Sequence, residues 1–122
     1  MLSVALASGH EAVGFLAVLP MVTEQRFDGT RLGPPSLTVA MVRVTWHLVG
    51  LFVLTVGLVL ITLAVADEID PRTVVLRWTA AMWVAATLVA LWSVRRRPAN
   101  ILCLPVPLVW PVIAWLCWQA ST

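Results

Sequence analysis

An apolar run that follows His47 and continues to Ala66 constrains the fold more than any other part of the chain. Between His47 and Asp67 there is no charged residue, and most side chains are branched aliphatics. A helix rises about 1.5 Å per residue and a bilayer core is about 30 Å thick, so this run is long enough to cross a membrane. Arg43 and His47 lie at its start, and the sequence therefore predicts a transmembrane helix with polar residues at one end.

The overall composition also indicates a membrane protein. Of 122 residues, 61% are hydrophobic and 11% are charged, whereas soluble domains carry about 25% charged residues. The eight basic residues are all arginines, and they lie at predicted helix ends rather than in one patch. With a net charge of +2, the chain is not expected to bind nucleic acid. Its connections are too short for a soluble catalytic domain.

We predict an all-α integral membrane protein whose four transmembrane helices form one up-down bundle over residues 1–122. The predicted spans cover approximately residues 2–22, 44–66, 74–94 and 101–118. Thr23–Val42 contains Gly33, Pro34 and Pro35, which are typical of a surface loop. Asp70 followed by Pro71 predicts the capped start of the third span.

Several residues predict how these helices pack or bend. Ala81 with Ala85, and Ala86 with Ala90, form two small-xxx-small pairs, which allow neighbouring membrane helices to approach closely. Pro20 lacks a backbone N–H and is therefore expected to kink or end the first helix.

The arginines predict the orientation in the membrane. The first and third loops, which lie on the same side, hold most of them, at Arg26, Arg31, Arg43, Arg95, Arg96 and Arg97. By the positive-inside rule these loops face the cytoplasm, and both termini lie on the opposite side of the membrane. The run Arg95, Arg96 and Arg97 serves either as an anchor that fixes this topology or as a site for anionic lipid headgroups.

One group of polar side chains is predicted to meet near the cytoplasmic side, namely His10, Glu11, Arg43 and His47. Helical periodicity places His10 on one face with Gly14 and His47 on one face with Gly50, and glycine on a face favours close contact with another helix. A carboxylate such as Glu11 inside a hydrophobic segment is costly, which makes it a functional candidate.

This group admits several roles. It can be a structural hydrogen-bonded network, a haem b site with His10 and His47 as axial ligands, a quinone or proton-transfer site, or a metal site that includes Glu11. Cys103 and Cys117 have no CxxC partner, so no metal-ligand set of cysteines is predicted. We find no pairing of a nucleophile with a base, no phosphate loop and no paired catalytic carboxylates, and therefore expect a protein that is not an enzyme.

The order of these motifs resembles a loose family of small bacterial inner-membrane proteins with four hydrophobic segments. In that family His-x-x-x-Gly-Glu ends the first span and Arg-x-x-Trp-His begins the second; here the matching residues are His10 with Gly14, and Arg43 with Trp46 and His47. Phe15 stands in place of the family's glutamate. The resemblance implies the four-helix fold and the pairing of His10 with His47, but no activity.

The small multidrug exporters also have four short spans and a glutamate in the first. Similarity to them implies a proton-coupled transporter in which Glu11 couples proton and cation movement. This function, and a haem- or quinone-binding anchor that uses His10 and His47, are the alternatives to our main prediction. That prediction is a non-enzymatic accessory or scaffold subunit of a larger membrane complex, whose partners are lipids and either other membrane subunits or further copies of itself.

Overall fold

The computed structural model describes residues 2–29, 34–66, 68–95 and 106–122, and these ranges contain helices and turns but no strand. The first helical segment consists of α1 (Leu2–Val13), a π-helical turn (Gly14–Val18) and α2 (Leu19–Met21). It is followed by a 3-10 turn (Glu24–Phe27) and three further helices, α3 (Pro35–Val65), α4 (Pro71–Val94) and α5 (Val106–Gln119). Each helix packs mainly against the next one along the chain.

Successive helices run antiparallel, as the contacts between them show. Two hydrogen bonds show the direction of the first pair. Glu11 is bonded to His47, and the later residue Val22 is bonded through its carbonyl to the earlier residue Arg43. The same reversal holds for the next two pairs of helices, where the contacts are Thr62 with Trp78, His47 with Trp92, Arg77 with Trp118, and Trp83 with Trp110. The described helices are therefore arranged in an up-down order.

The interior of the bundle combines alanines with valines and one tryptophan, and many large apolar residues face outward. Val44, Ala86, Ala90 and Trp110 make the main buried cluster, and among the described residues Val94 is the largest side chain that is fully buried. The exposed residues include large apolar side chains on every long helix, such as Phe15, Phe52, Leu88 and Trp115. Small residues at helix contacts are typical of helices that associate in lipid.

Three of the described helical stretches are long and apolar enough to cross a membrane, namely Val4–Met21, Pro35–Val65 and Pro71–Val94. They coincide with the first three predicted spans. The predicted fourth span begins outside the described residues, and its described part is the 14-residue helix α5. Arg31, Asp67, Arg96, Arg97 and Cys103 also lie outside the described ranges.

The start of α3 corrects the predicted loop. We expected Thr23–Val42 to be a loop and the second span to begin at about residue 44, but α3 already begins at Pro35. Pro35 occupies the first turn of the helix, where the missing N–H has no intrahelical acceptor and the fixed φ favours helix. Proline there marks a helix start, and the prediction was wrong for residues 35–42.

Pro20 perturbs the first helix as expected. It cannot donate to the carbonyl of Leu16, and the turn just before it, Gly14–Val18, is π-helical, with the N–H of Leu19 donating to the carbonyl of Gly14. π-helical turns occur where the regular hydrogen-bond ladder is interrupted. The helix then ends at Met21, close to the predicted end at residue 22.

The two alanine pairs of α4 differ in their surroundings. Ala86 and Ala90 are completely buried in the core cluster, as their spacing predicts. Ala81 is exposed and Ala85 is half-buried, and both contribute to a groove between α4 and α5. Within the described residues, Ala86 and Ala90 are therefore the pair that the chain itself encloses completely.

Asp70 caps α4, as the sequence predicts, and its removal should destabilise the protein. Its Oδ2 accepts from the backbone N–H of Thr73 at 3.1 Å and from the Thr73 hydroxyl at 3.2 Å. We expect Asp70→Ala to lower the free energy of unfolding by about 1 kcal/mol, the usual cost of losing a cap. Denaturation followed by circular dichroism measures this, with Glu68→Ala as the control in the same turn. Equal losses in both variants would contradict the capping role.

Candidate functional site

The central contact of the candidate site is a hydrogen bond between a side chain of the first helix and a side chain of α3. Nδ1 of His47 donates to Oε2 of Glu11 at 2.7 Å. The His47 side chain is 9% exposed and that of Glu11 is 31% exposed, so the imidazole is enclosed and the carboxylate lies at the edge of the interface. Phe15 and Trp92 contact the His47 ring, with ring centres 5.6 and 6.4 Å away.

His10 has a different partner from His47. Its ring stacks on the indole of Trp46, with ring centres 4.3 Å apart and planes 12° from parallel. Its Nε2 donates to the backbone carbonyl of Trp46 at 3.0 Å. Successive residues of α1, His10 and Glu11, are thus joined to successive residues of α3, Trp46 and His47.

Two glycines make room for this double contact. A methyl group built at Gly50 would collide with the carboxylate of Glu11, and one built at Gly14 would collide with the indole of Trp46. Each helix therefore offers a gap that a side chain of the other helix fills. The glycine positions that periodicity placed on the contact faces are the positions where the helices meet.

Arg43 lies on the same face as His47 but contacts the end of the first helical segment. Its Nη2 donates to the carbonyl of Val22 at 3.4 Å. Val22 is the C-terminal cap of that segment, where carbonyls lack helical partners. The buried Nε of Arg43 and the buried Nε1 of Trp46 have no hydrogen-bond partner in the part of the chain that the structure describes.

A cavity of about 260 Å³ adjoins the hydrogen bond between His47 and Glu11. Glu11, His47 and Ser8 are its polar lining residues, and Gly50 and Leu54 are among the others. Pockets for small-molecule ligands generally measure about 300–1,000 Å³, so this cavity suits water or a small ion better than a ring system. No group of three or more His, Cys, Asp or Glu side chains that could hold a metal occurs within the described ranges.

Arg95 of the predicted headgroup site lies at the end of α4, with its guanidinium 4.6 Å from the centre of the Trp92 ring. Arg96 and Arg97 lie outside the described residues. Sequence reasoning used Trp46 only as part of the motif that contains His47, and it assigned neither Trp46 nor Trp92 a contact with the polar residues. The available signal was that Trp46 directly precedes His47 and that Trp92 lies one helical turn before Arg95.

Comparisons with protein-family models, with curated proteins and with solved structures gave no match. The resemblance to small inner-membrane proteins thus stays a prediction, and the function is argued from geometry.

Proposed function

We propose that this chain is an integral protein of a bacterial inner membrane that crosses the bilayer four times. Its three long apolar helices and the outward position of its large apolar side chains support insertion. The predicted fourth span, residues 101–118, includes most of α5, and its first five residues lie outside the described part of the chain. The completely buried Ala86 and Ala90 lie at helix contacts, as expected where lipid rather than water surrounds the helices.

We place both termini on the periplasmic side. Arg43 and Arg95 lie at one end of the bundle, where they share a cleft. Glu68 and Asp70 precede α4 at the opposite end. Excess arginine favours the cytoplasmic side, so the arginine end faces inward.

Within the membrane, the chain acts as a non-enzymatic accessory or scaffold subunit of a larger complex. The observation that carries this proposal is the contrast between two surfaces. The polar groups of α1 are bonded to α3 inside the chain, whereas the exposed Ala81 and the half-buried Ala85 line an apolar groove of about 540 Å³ between α4 and α5.

The groove suits a transmembrane helix of another subunit. Small side chains form its floor, with Val84, Leu88 and Trp115 beside them, and a helix can approach closely over such a surface. At one end Arg77 lies 5.7 Å from the centre of the Trp118 ring. A carboxylate on the partner helix would complement the charge of Arg77. Such an ion pair would fix the position of the partner helix along the groove.

Site-specific photo-crosslinking in cells tests this proposal. A photoreactive residue at Ala85 should give one discrete adduct with another membrane protein, and Arg77→Gln should weaken it. The matched control is the same residue at Phe52, which is 61% exposed on α3 and should react with lipid alone. Lipid adducts alone at both positions would contradict the subunit role, and an adduct with a second copy of the chain would replace it with self-association.

The alternative functions compete for the same histidines and carboxylate. A haem or quinone anchor would use the second ring nitrogen of each histidine, Nδ1 of His10 and Nε2 of His47, because Nε2 of His10 and Nδ1 of His47 are hydrogen-bonded to Trp46 and Glu11. A proton-coupled transporter is favoured by one observation, the cavity beside Glu11. In that function Glu11 would release His47 when it takes up a proton, and the hydrogen bond between them would be transient rather than permanent.

A further inference from the structure

A second cavity, of about 340 Å³, opens between the first helical segment, α3 and α4. Two arginines line it, Arg43 from α3 and Arg95 from the end of α4, together with Trp92, Ser93 and apolar residues of the first segment. Among the described residues, none of those that line the cleft is acidic. Two guanidinium groups therefore share one cleft.

Arg43 has donors that the described part of the chain leaves unused. Its Nη2 contact with the carbonyl of Val22 is long, at 3.4 Å, and its Nε is buried without a partner. A guanidinium carries five N–H donors in a planar fork that matches phosphate and carboxylate oxygens. A buried donor without an acceptor is costly, so an oxyanion in the cleft would supply what Arg43 lacks.

Arg95 contacts a neighbouring aromatic ring. Its guanidinium lies 4.6 Å from the centre of the Trp92 ring, a contact that orients the charge and leaves its N–H groups at the ring edge available. The Ser93 hydroxyl donates to the carbonyl of Val89 at 2.8 Å and is not a donor for a ligand. The two arginines therefore provide the recognition.

The position of the cleft along the bundle indicates the class of anion. From Arg43 the uncharged part of α3 continues to Val65, roughly 33 Å at 1.5 Å per residue, which matches a hydrocarbon core of about 30 Å. In the proposed membrane, Arg43 and Arg95 consequently lie at the boundary between hydrocarbon and headgroups, at the depth of the lipid phosphates.

We propose that this cleft binds a phosphate group through Arg43 and Arg95, supplied either by an anionic phospholipid or by free inorganic phosphate. The lipid source rests on the proposed membrane insertion. The site is independent of the proposed partner groove, which lies between α4 and α5, so either proposal can fail without the other.

Native mass spectrometry of the purified full-length chain tests the site. The protein is released from nanodiscs of phosphatidylglycerol and phosphatidylcholine, and the retained lipid is counted. We expect preferential retention of phosphatidylglycerol, reduced about fivefold by Arg43→Gln and by Arg95→Gln, since each basic residue near an anionic surface is worth about 1 kcal/mol. Arg72→Gln removes the same charge at the opposite end of α4 and should leave retention unchanged.

Two further arms complete the test. Arg43→Lys keeps the charge but loses the fork, and should bind between the wild type and Arg43→Gln. Lipid-free protein titrated with inorganic phosphate distinguishes the sources: saturable binding that both glutamine variants lose supports free phosphate, and retained lipid alone supports the headgroup. Equal retention of the two lipids without saturable phosphate binding, or equal losses in Arg72→Gln and Arg95→Gln, would overturn the proposal. Because Arg95 is exposed, its variant reports on binding even if Arg43→Gln fails to fold.

Discussion

Gly14→Ala is expected to lower the free energy of unfolding by about 3 kcal/mol, the upper end of the usual cost of overpacking. The added methyl group would collide with three atoms of the Trp46 indole, a rigid ring that cannot bend aside. To make room, Trp46 must move or the two helices must separate. Either change also disturbs the stacking of His10 on Trp46.

Gly9→Ala provides the matched control because it adds the same group on the same helix where no atom lies within 4 Å. There the replacement should be neutral or stabilising, since alanine favours helix by about 1 kcal/mol over glycine. Unfolding of both variants in bicelles measures the difference. Similar stabilities would show that the first helical segment does not pack against α3 through Gly14.

His47→Leu is expected to cost about 2 kcal/mol. Leucine is close in size to histidine, so the main loss is the bond to Glu11, and a hydrogen bond to a charged group contributes about 1.5–3 kcal/mol. The carboxylate would remain beside apolar residues without its partner, which is the costly way to break such a pair. Because 31% of the Glu11 side chain is exposed, part of this cost is relieved by solvent or lipid headgroups.

The double variant Glu11→Leu with His47→Leu separates the pair from general packing effects. It should be more stable than His47→Leu alone, since both polar groups are then removed together. Phe52→Leu on the exposed side of α3 should change stability by no more than about 0.5 kcal/mol. If the double variant loses as much free energy of unfolding as Glu11→Leu and His47→Leu lose together, Glu11 and His47 do not interact.

Much of the contact between the first helix and α3 could be predicted from helical periodicity. His47, Gly50 and Gly57 repeat at helical spacing, and all three are buried. Asp70 and Pro71 likewise predicted the start of α4 because capping depends on a few neighbouring residues. These features are local, so the sequence carries them directly.

Other features depend on relations that periodicity does not contain. Periodicity did not decide how far the first helix continues beyond Pro20, and that distance sets whether Glu11 or His10 meets His47. The pairing of His10 with Trp46 and of Glu11 with His47 required the relative depth of two helices. The cleft that joins Arg43 to Arg95 combines residues from helices that are distant in the sequence, and no local motif indicates it.

The most direct test is whether the polar residues of the first helix bind it to α3. Solid-state nuclear magnetic resonance on the chain in lipid bilayers, with isotope-labelled histidine and glutamate, measures this. We predict a strong nitrogen–carbon dipolar coupling between the His47 imidazole and the Glu11 carboxyl group, whose Nδ1 and Oε2 lie 2.7 Å apart. The coupling should disappear in Gly50→Ala, because the new methyl group takes the space of the carboxylate. Intact helices without this coupling, or a His47 ring bound to iron, would contradict the structural role and favour the transporter or the haem anchor.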